Sequence, residues 1–171
     1  MWYFLREMQS ENASALEHPH EALRGFPVVI SLSVEWGDQD SFAHVNNTVY
    51  LKWCETARVV YLGKIGMWPM IKNEGVGPIL ASVSCDYRQP VTFPDTVQVG
   101  ARVSKIGRSS FRMEHVVVSV AQRAVVAESD STLVFIEYAR GKSLPLPPQM
   151  RQAMEQLEGR TLTSPGTSPA P

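Results

Sequence analysis

The sequence lacks most of what would mark a metal, disulfide or membrane framework. It has two cysteines in 171 residues, Cys54 and Cys85. They form neither a metal-ligand spacing nor a disulfide framework. Their apolar neighbours read them as small buried hydrophobes of a reducing compartment. No metal and no cofactor is therefore expected. No apolar stretch reaches the roughly 18 residues needed to cross a bilayer, so no membrane span is expected either. Neither sign of charge is in excess, with 16 Lys and Arg against 17 Asp and Glu. A general nucleic-acid binder carries a strongly basic face, which excludes nucleic acid as an expected partner. No G-x-S-x-G run is present, which removes the serine-hydrolase elbow. The opening MWYFLREMQSE is too short in its apolar run for a secretory signal, and Glu7, Glu11, Glu17 and Glu21 oppose a transit peptide. A cytoplasmic location is the default expectation, with a mitochondrial one left open.

What remains is an ordinary globular composition, 44% hydrophobic and 19% charged, over a length that suits one domain with a real core. Residues 1–25 hold a weak helical pattern broken by HPH at 18–20, and read as an accessory arm. Its Trp2, Tyr3, Phe4 and Leu5 could cover an apolar patch. From Gly159 the run GRTLTSPGTSPAP is too rich in Ser, Thr, Pro and Gly to bury itself, so 159–171 reads as a disordered tail. The domain is expected to span 26–158.

VVISLSVEW (28–36) alternates, with Val28, Ile30, Leu32, Val34 and Trp36 on one face, as a half-buried strand does. NTVYLKWCETARVVYLGKIG (47–66) has no Pro and is apolar round most of its circumference. That predicts a long buried helix capped by Asn46 or Asn47. Four strands follow, at 79–91, 96–106, 110–120 and 124–139, separated by turn-compatible segments. PLPPQMRQAMEQLEG then gives a short amphipathic helix after its prolines. A lone apolar helix beside an antiparallel meander buries itself only if the sheet curls round it. The fold class is α+β.

The chemistry concentrates in GDQDSFAHVNN (37–47), where two carboxylates, an imidazole and two carboxamides precede the helix. With its flanks, VEWGDQDSFAHVNNTVYLKWCETAR resembles the hotdog-fold acyl-CoA thioesterases of the 4-hydroxybenzoyl-CoA thioesterase type. DYRQPVTFPDTVQV (86–99) and LPLPPQMRQAM (144–154) resemble later parts of that family, and the likeness covers about 28–158. It implies a curled antiparallel sheet wrapped around a long helix, and hydrolysis of an acyl-CoA to free acid and coenzyme A. The family usually has Gly before the His; here it is Ala43, which tolerates a positive φ poorly.

A thioester carbonyl needs donors aimed at its developing oxyanion and a carboxylate within reach of its carbon or of a water. A helix N-terminus supplies unpaired N–H groups. The resemblance assigns Asp40 as the catalytic carboxylate, nucleophile or general base, and the Asn47 N–H as the group polarising the carbonyl. Asp40 has a plainer reading as a cap. Asp38 reads as a structural acceptor of loop amides. His44 orients substrate or Asp40, or stabilises the loop, and Asn46 reads most simply as a cap. Tyr50, Trp53 and Tyr61 read as core.

Arg102, Lys105, Arg108, Arg112 and Arg123 face one acid, Glu114, between 101 and 123. Such a run is usually a solvated sheet edge, but coenzyme A carries phosphates that Arg and Lys bind well. The family likeness makes Arg108 and Ser109 the candidates. It also implies a homodimer or homotetramer, and the Val- and Ile-rich 116–136 segment is expected to form the exposed edge or sheet interface. A non-catalytic acyl-CoA-binding or assembly protein on the same fold is the alternative function. A hotdog hydratase fits worse, since His44 follows Asp40 by four residues and no Asn-Pro intervenes.

Overall fold

The structure, a computed structural model, describes residues 20–162. Residues 1–19 of the expected arm and 163–171 of the expected tail lie outside the described residues. The elements run β1 (Val28–Ser33), α1 (Asn47–Lys64), α2 (Met67–Glu74), β2 (Val76–Tyr87), β3 (Thr96–Ile106), β4 (Ser110–Ser119), β5 (Ala124–Glu137), β6 (Lys142–Ser143) and α3 (Pro148–Glu158). The strands form one antiparallel sheet in the order β1-β3-β4-β5-β2, with β6 added to β5. The sheet curls around α1, and this is the expected hotdog arrangement.

Alternation along the strands builds the core. Val97, Val99, Ala101 and Val103 of β3 and Met113 and Val117 of β4 are fully buried, and they pave the face on which α1 lies. The helix answers with Tyr50, Trp53, Cys54, Ala57 and Tyr61, spaced three and four apart. Lys52 and Glu55 are exposed on its other side. α1 packs on β3, β1 and β4. Glu158, the last residue of α3, ties these layers together: its Oε1 accepts from Tyr61 Oη at 2.8 Å and from Val103 N at 2.6 Å. Burial raises the pKa of both the Glu158 carboxyl and the Tyr61 phenol.

Two expectations need correcting. The helix expected over 47–66 stops at Lys64, and a second helix that the sequence reading did not anticipate starts at Met67. Gly66 and Gly75, with φ of 75° and 66°, bracket it in left-handed backbone that suits glycine. Pro69 sits in its first turn, where no N–H is missed. The second correction concerns the sheet edge. β4 and β5 each have a neighbour on both sides, so 116–136 is core rather than edge, with Val117, Val126, Ala127, Leu133 and Phe135 at 2% exposure or less. The edges are β1 and β2. Along β2, Ile79, Leu80, Val83 and Tyr87 are all 40% exposed or more.

The packed unit extends a little past 26–158. Leu23 is 3% exposed and lies over Gly100, where an added Cβ would come within 2.9 Å of its side chain. Leu162 is 2% exposed, and its N–H donates to Glu155. A chain cut to 26–158 should thus unfold at lower denaturant than one cut to 20–162. Each lost leucine accounts for about 1.5–3 kcal/mol of burial. Equal denaturation midpoints for the two would show that neither leucine contributes.

Candidate active site

The loop between β1 and α1 is fixed by its own backbone. Residues Trp36–Asp38 make one 3-10 turn, and the Asp38 carboxylate accepts from Glu35 N at 2.9 Å. Asp40 N donates to His44 O and Ala43 N to Asp40 O, closing a tight turn across Ser41 and Phe42. That turn holds Ala43 at φ 61°, the left-handed region that glycine would enter without strain. Val45 N donates to Val91 O, and Asn46 N to Asp38 O, so the loop is pinned from both sides. Phe93 N donates to the Gln39 side chain, and the Trp36 and Phe93 rings meet edge to face.

Asn46 is the N-cap of α1, and its carboxamide has two uses. Oδ1 accepts from Thr48 N at 3.0 Å, while Nδ2 donates to Asp40 Oδ2 at 3.2 Å. The other Asp40 oxygen accepts from Phe42 N at 2.9 Å. The Asp40 carboxylate, half-buried, therefore sits one carboxamide away from the start of the helix. Asn47 is exposed at the first helical position, and among the described residues its N–H has no acceptor. The His44 ring stacks on Phe42, and Nδ1 lies 3.2 Å from Val45 O. The Asp38 carboxylate is engaged by the 3-10 turn, accepting from Glu35 N.

Tyr87, on the β2 edge, was not among the expected site residues. Its hydroxyl donates to Asn47 O at 3.0 Å and its ring packs edge-on to Tyr50. A tyrosine inside a strand pattern gives no local cue that it will reach the start of a helix 40 residues earlier. Cys54 is no nucleophile: burial, first of all, pushes its thiol up to about 12. Arg108 and Ser109 stand elsewhere, in the β3–β4 turn. That turn is about 30 Å along β3 from Thr96, where β3 pairs with the end of β1. Within one chain the fold does not bring them to Asp40. Two of the other cations are already paired, Arg102 to Glu114 and Arg112 to Asp130.

A carboxylate beside an open helix N-terminus can activate a nucleophile and polarise a carbonyl at one place. Comparison with known proteins fits this geometry. Residues 34–154 match the family described as the thioesterase-like superfamily. The chain belongs to that superfamily. A Thermus thermophilus thioesterase solved with coenzyme A and Zn is 36% identical, with 81% of this chain and 99% of that one covered and a TM-score of 0.72. The PA5185 protein of Pseudomonas aeruginosa is 31% identical over 80% of this chain and 93% of its own, with a TM-score of 0.68. The long-chain acyl-CoA thioesterase FadM of Escherichia coli is 25% identical over 118 residues, 69% of this chain and 89% of FadM. As a member of the superfamily this protein is a thioester hydrolase acting on a CoA-linked substrate. Among the described residues, no three His, Cys, Asp or Glu side chains group as metal ligands, and no helix is long and apolar enough to cross a membrane.

The loop's strain and its cap should be separable by mutation. Ala43→Gly should stabilise the protein by about 0.5–1 kcal/mol, because the left-handed backbone then carries no Cβ conflict. Asn46→Ala should cost about 1 kcal/mol as the cap is lost. Denaturant titration reads both, and a destabilised Ala43→Gly would show that the turn is not strained at that residue.

Proposed function

We propose that the protein is an acyl-CoA thioesterase in which Asp40 is the catalytic carboxylate and the Asn47 N–H polarises the thioester carbonyl. The observation that carries this reading is the two-ended Asn46 carboxamide. It caps α1 with one atom and holds Asp40 with the other, so carboxylate and helix N-terminus are fixed relative to each other. The carbonyl oxygen lies on the Asn47 N–H, where the positive end of the helix stabilises the oxyanion. In one route Asp40 takes a proton from water as the water oxygen attacks the carbonyl carbon. The C–S bond then breaks, and the coenzyme A thiolate leaves and is protonated. In the other, Asp40 itself attacks, the thiolate leaves, and water hydrolyses the resulting anhydride. His44 and Asp38 support the loop in both. The 36–50 run supports placement with the 4-hydroxybenzoyl-CoA thioesterase type by motif, with no commitment to a hydroxybenzoyl acyl group.

Two further parts of the reading concern assembly and the carrier. The likeness to a thioesterase solved with coenzyme A supports coenzyme A here. The uncovered β2 edge, with Leu80, Val83 and Tyr87 exposed and Tyr87 reaching the start of α1, supports a homodimer or homotetramer. Arg108 and Ser109 lie too far along β3 to reach a nucleotide bound at their own chain's Asp40. They serve as the nucleotide contact only from a second copy.

Asp40→Asn should lower kcat by at least ~10²-fold, the smaller end for a positioned general base, with folding unchanged by circular dichroism. Asp38→Asn should keep most of the turnover. The reverse pattern would move the catalytic role to Asp38. Separately, mass photometry with parallel activity assays on dilution should show turnover falling as the oligomer dissociates. A fully active monomer at nanomolar concentration would refute the assembly.

A further inference from the structure

Between the first two-thirds of α1 and the strands β2, β4 and β5 lies a cavity of about 160 Å³. Its walls are unlike the rest of the core. His115 of β4 stands opposite Ser129 of β5, and Ser131 follows Ser129 by two residues on the same face. These are inward positions that β3 fills with valine and alanine. His115 is 1% exposed, Ser129 4% and Ser131 2%. Both His115 ring nitrogens and the Ser131 hydroxyl lack a hydrogen-bond partner among the described residues. The Ser129 hydroxyl meets the Cys54 thiol, a weak partner that a stronger acceptor can replace. The Ser129 backbone lies close enough to favour a charged His115 slightly, but makes no bond of proper geometry with the ring. Burial, and then the charge of Arg58, push the imidazole down to about 4, so the ring is neutral near pH 7 and has an N–H to donate.

Arg58 supplies the charge. It lies on the inner face of α1 at 8% exposure. Its recorded contact is a 3.4 Å pair with Glu55, whose side chain is 63% exposed and strongly hydrated. An exposed partner at that distance holds a guanidinium weakly. The cavity therefore presents a buried cation and several unused donors, with no buried anion among the residues lining it. Its size is close to the ~150 Å³ that accommodates a benzene molecule in an engineered protein cavity. That is room for the far end of an acyl chain whose stem lies along the helix toward Asn47. It starts at Leu51, one turn from Asn47, and ends at Arg58, about 16 Å along the helix axis from Asn47. Side chains on a helix tilt toward its N-terminus, so the guanidinium leans back toward the thioester end.

We propose that this cavity receives the distal end of the acyl group, and that it selects acyl groups ending in a carboxylate and long enough to run from Asn47 toward Arg58, that is, coenzyme A monothioesters of longer dicarboxylic acids such as sebacic acid. The assignment rests on the thioesterase reading above and adds its substrate class. Arg58 exchanges the solvated Glu55 for the substrate carboxylate, and His115, Ser129 and Ser131 donate to its oxygens. A methyl-ended acyl chain of the same length leaves all of these groups unpaired, which is the situation in which a polar site rejects an apolar analogue.

The test measures kcat/KM of the full-length protein with sebacyl-CoA, decanoyl-CoA and palmitoyl-CoA. Sebacyl-CoA should be preferred over decanoyl-CoA by about 10- to 100-fold, the range for one charge-assisted contact. Arg58→Gln should remove that preference by lowering sebacyl-CoA turnover far more than decanoyl-CoA turnover. Should Arg58→Gln fail to fold, Ser131→Ala, a smaller change, should lower sebacyl-CoA turnover selectively. Equal or better turnover of decanoyl-CoA or palmitoyl-CoA overturns the subsite and leaves the thioesterase reading standing. No hydrolysis of any of the three overturns the thioesterase reading instead. Calorimetric binding of sebacyl-CoA and decanoyl-CoA to Asp40→Asn reads the cavity without turnover. Tighter binding of sebacyl-CoA supports the subsite, and equal affinities overturn it.

Discussion

The structure depends on how the first turn of α1 is satisfied. A helix that enters the core carries unpaired N–H groups at its start, which side chains, backbone or solvent must meet. Asn46 meets one with its side-chain oxygen and turns its remaining amide N–H toward Asp40. Once that is done, the carboxylate cannot wander from the helix end, and Asn47 is left facing outward with its donor free. One side chain thus caps the helix and positions the Asp40 carboxylate that the proposed chemistry uses.

The second constraint is coverage. One helix cannot shield a five-strand sheet, and α1 lies over β1, β3 and β4. The opposite margin, β2, keeps its apolar residues in the open, and Tyr87 on that margin reaches back to the helix start. On the proposed function, an apolar edge joined to the helix start by Tyr87 ties assembly to the candidate site. The outer sheet face makes no comparable demand: Arg88–Glu128, Arg102–Glu114 and Arg112–Asp130 pair across neighbouring strands and leave it solvated.

The elements legible in advance were those whose signal is local. Alternation announced β1, although the strand stops at Ser33 and Trp36, read as inward-facing over 28–36, lies 73% exposed in the 3-10 turn beyond it. The long apolar helix after Asn46 announced α1, and the strands from 96 to 137 were visible from β-branched density and turns. The placement of Asp38 and Asp40 was legible because both lie within a few residues of the cap. What escaped was decided at a distance. α2 is short and carries Pro69 between two glycines, so its pattern looked like a break until Gly66 and Gly75 were seen to frame it. The edge was misassigned because strand order is a property of the whole sheet, and Val-rich sequence marks a central strand as readily as an edge one. Arg108 lies in the turn where the sequence put it, but the length of β3 sets it far from Asp40.

The polar triad on the inner sheet face is the feature that local rules handle worst. In ESDSTLVF (128–135), Ser129 and Ser131 occupy the same alternating face as Leu133 and Phe135. Periodicity alone assigns them inward, while composition alone assigns them to a loop. A core built only for stability would place alanine or valine there, as β3 does. Hydroxyls buried without partners cost about 1–3 kcal/mol each, and a neutral histidine beside a guanidinium adds to that. Polarity at these positions weakens the fold at the point where the sheet lies open beside β2. On the proposed reading, the substrate carboxylate supplies the partners that the sheet itself does not.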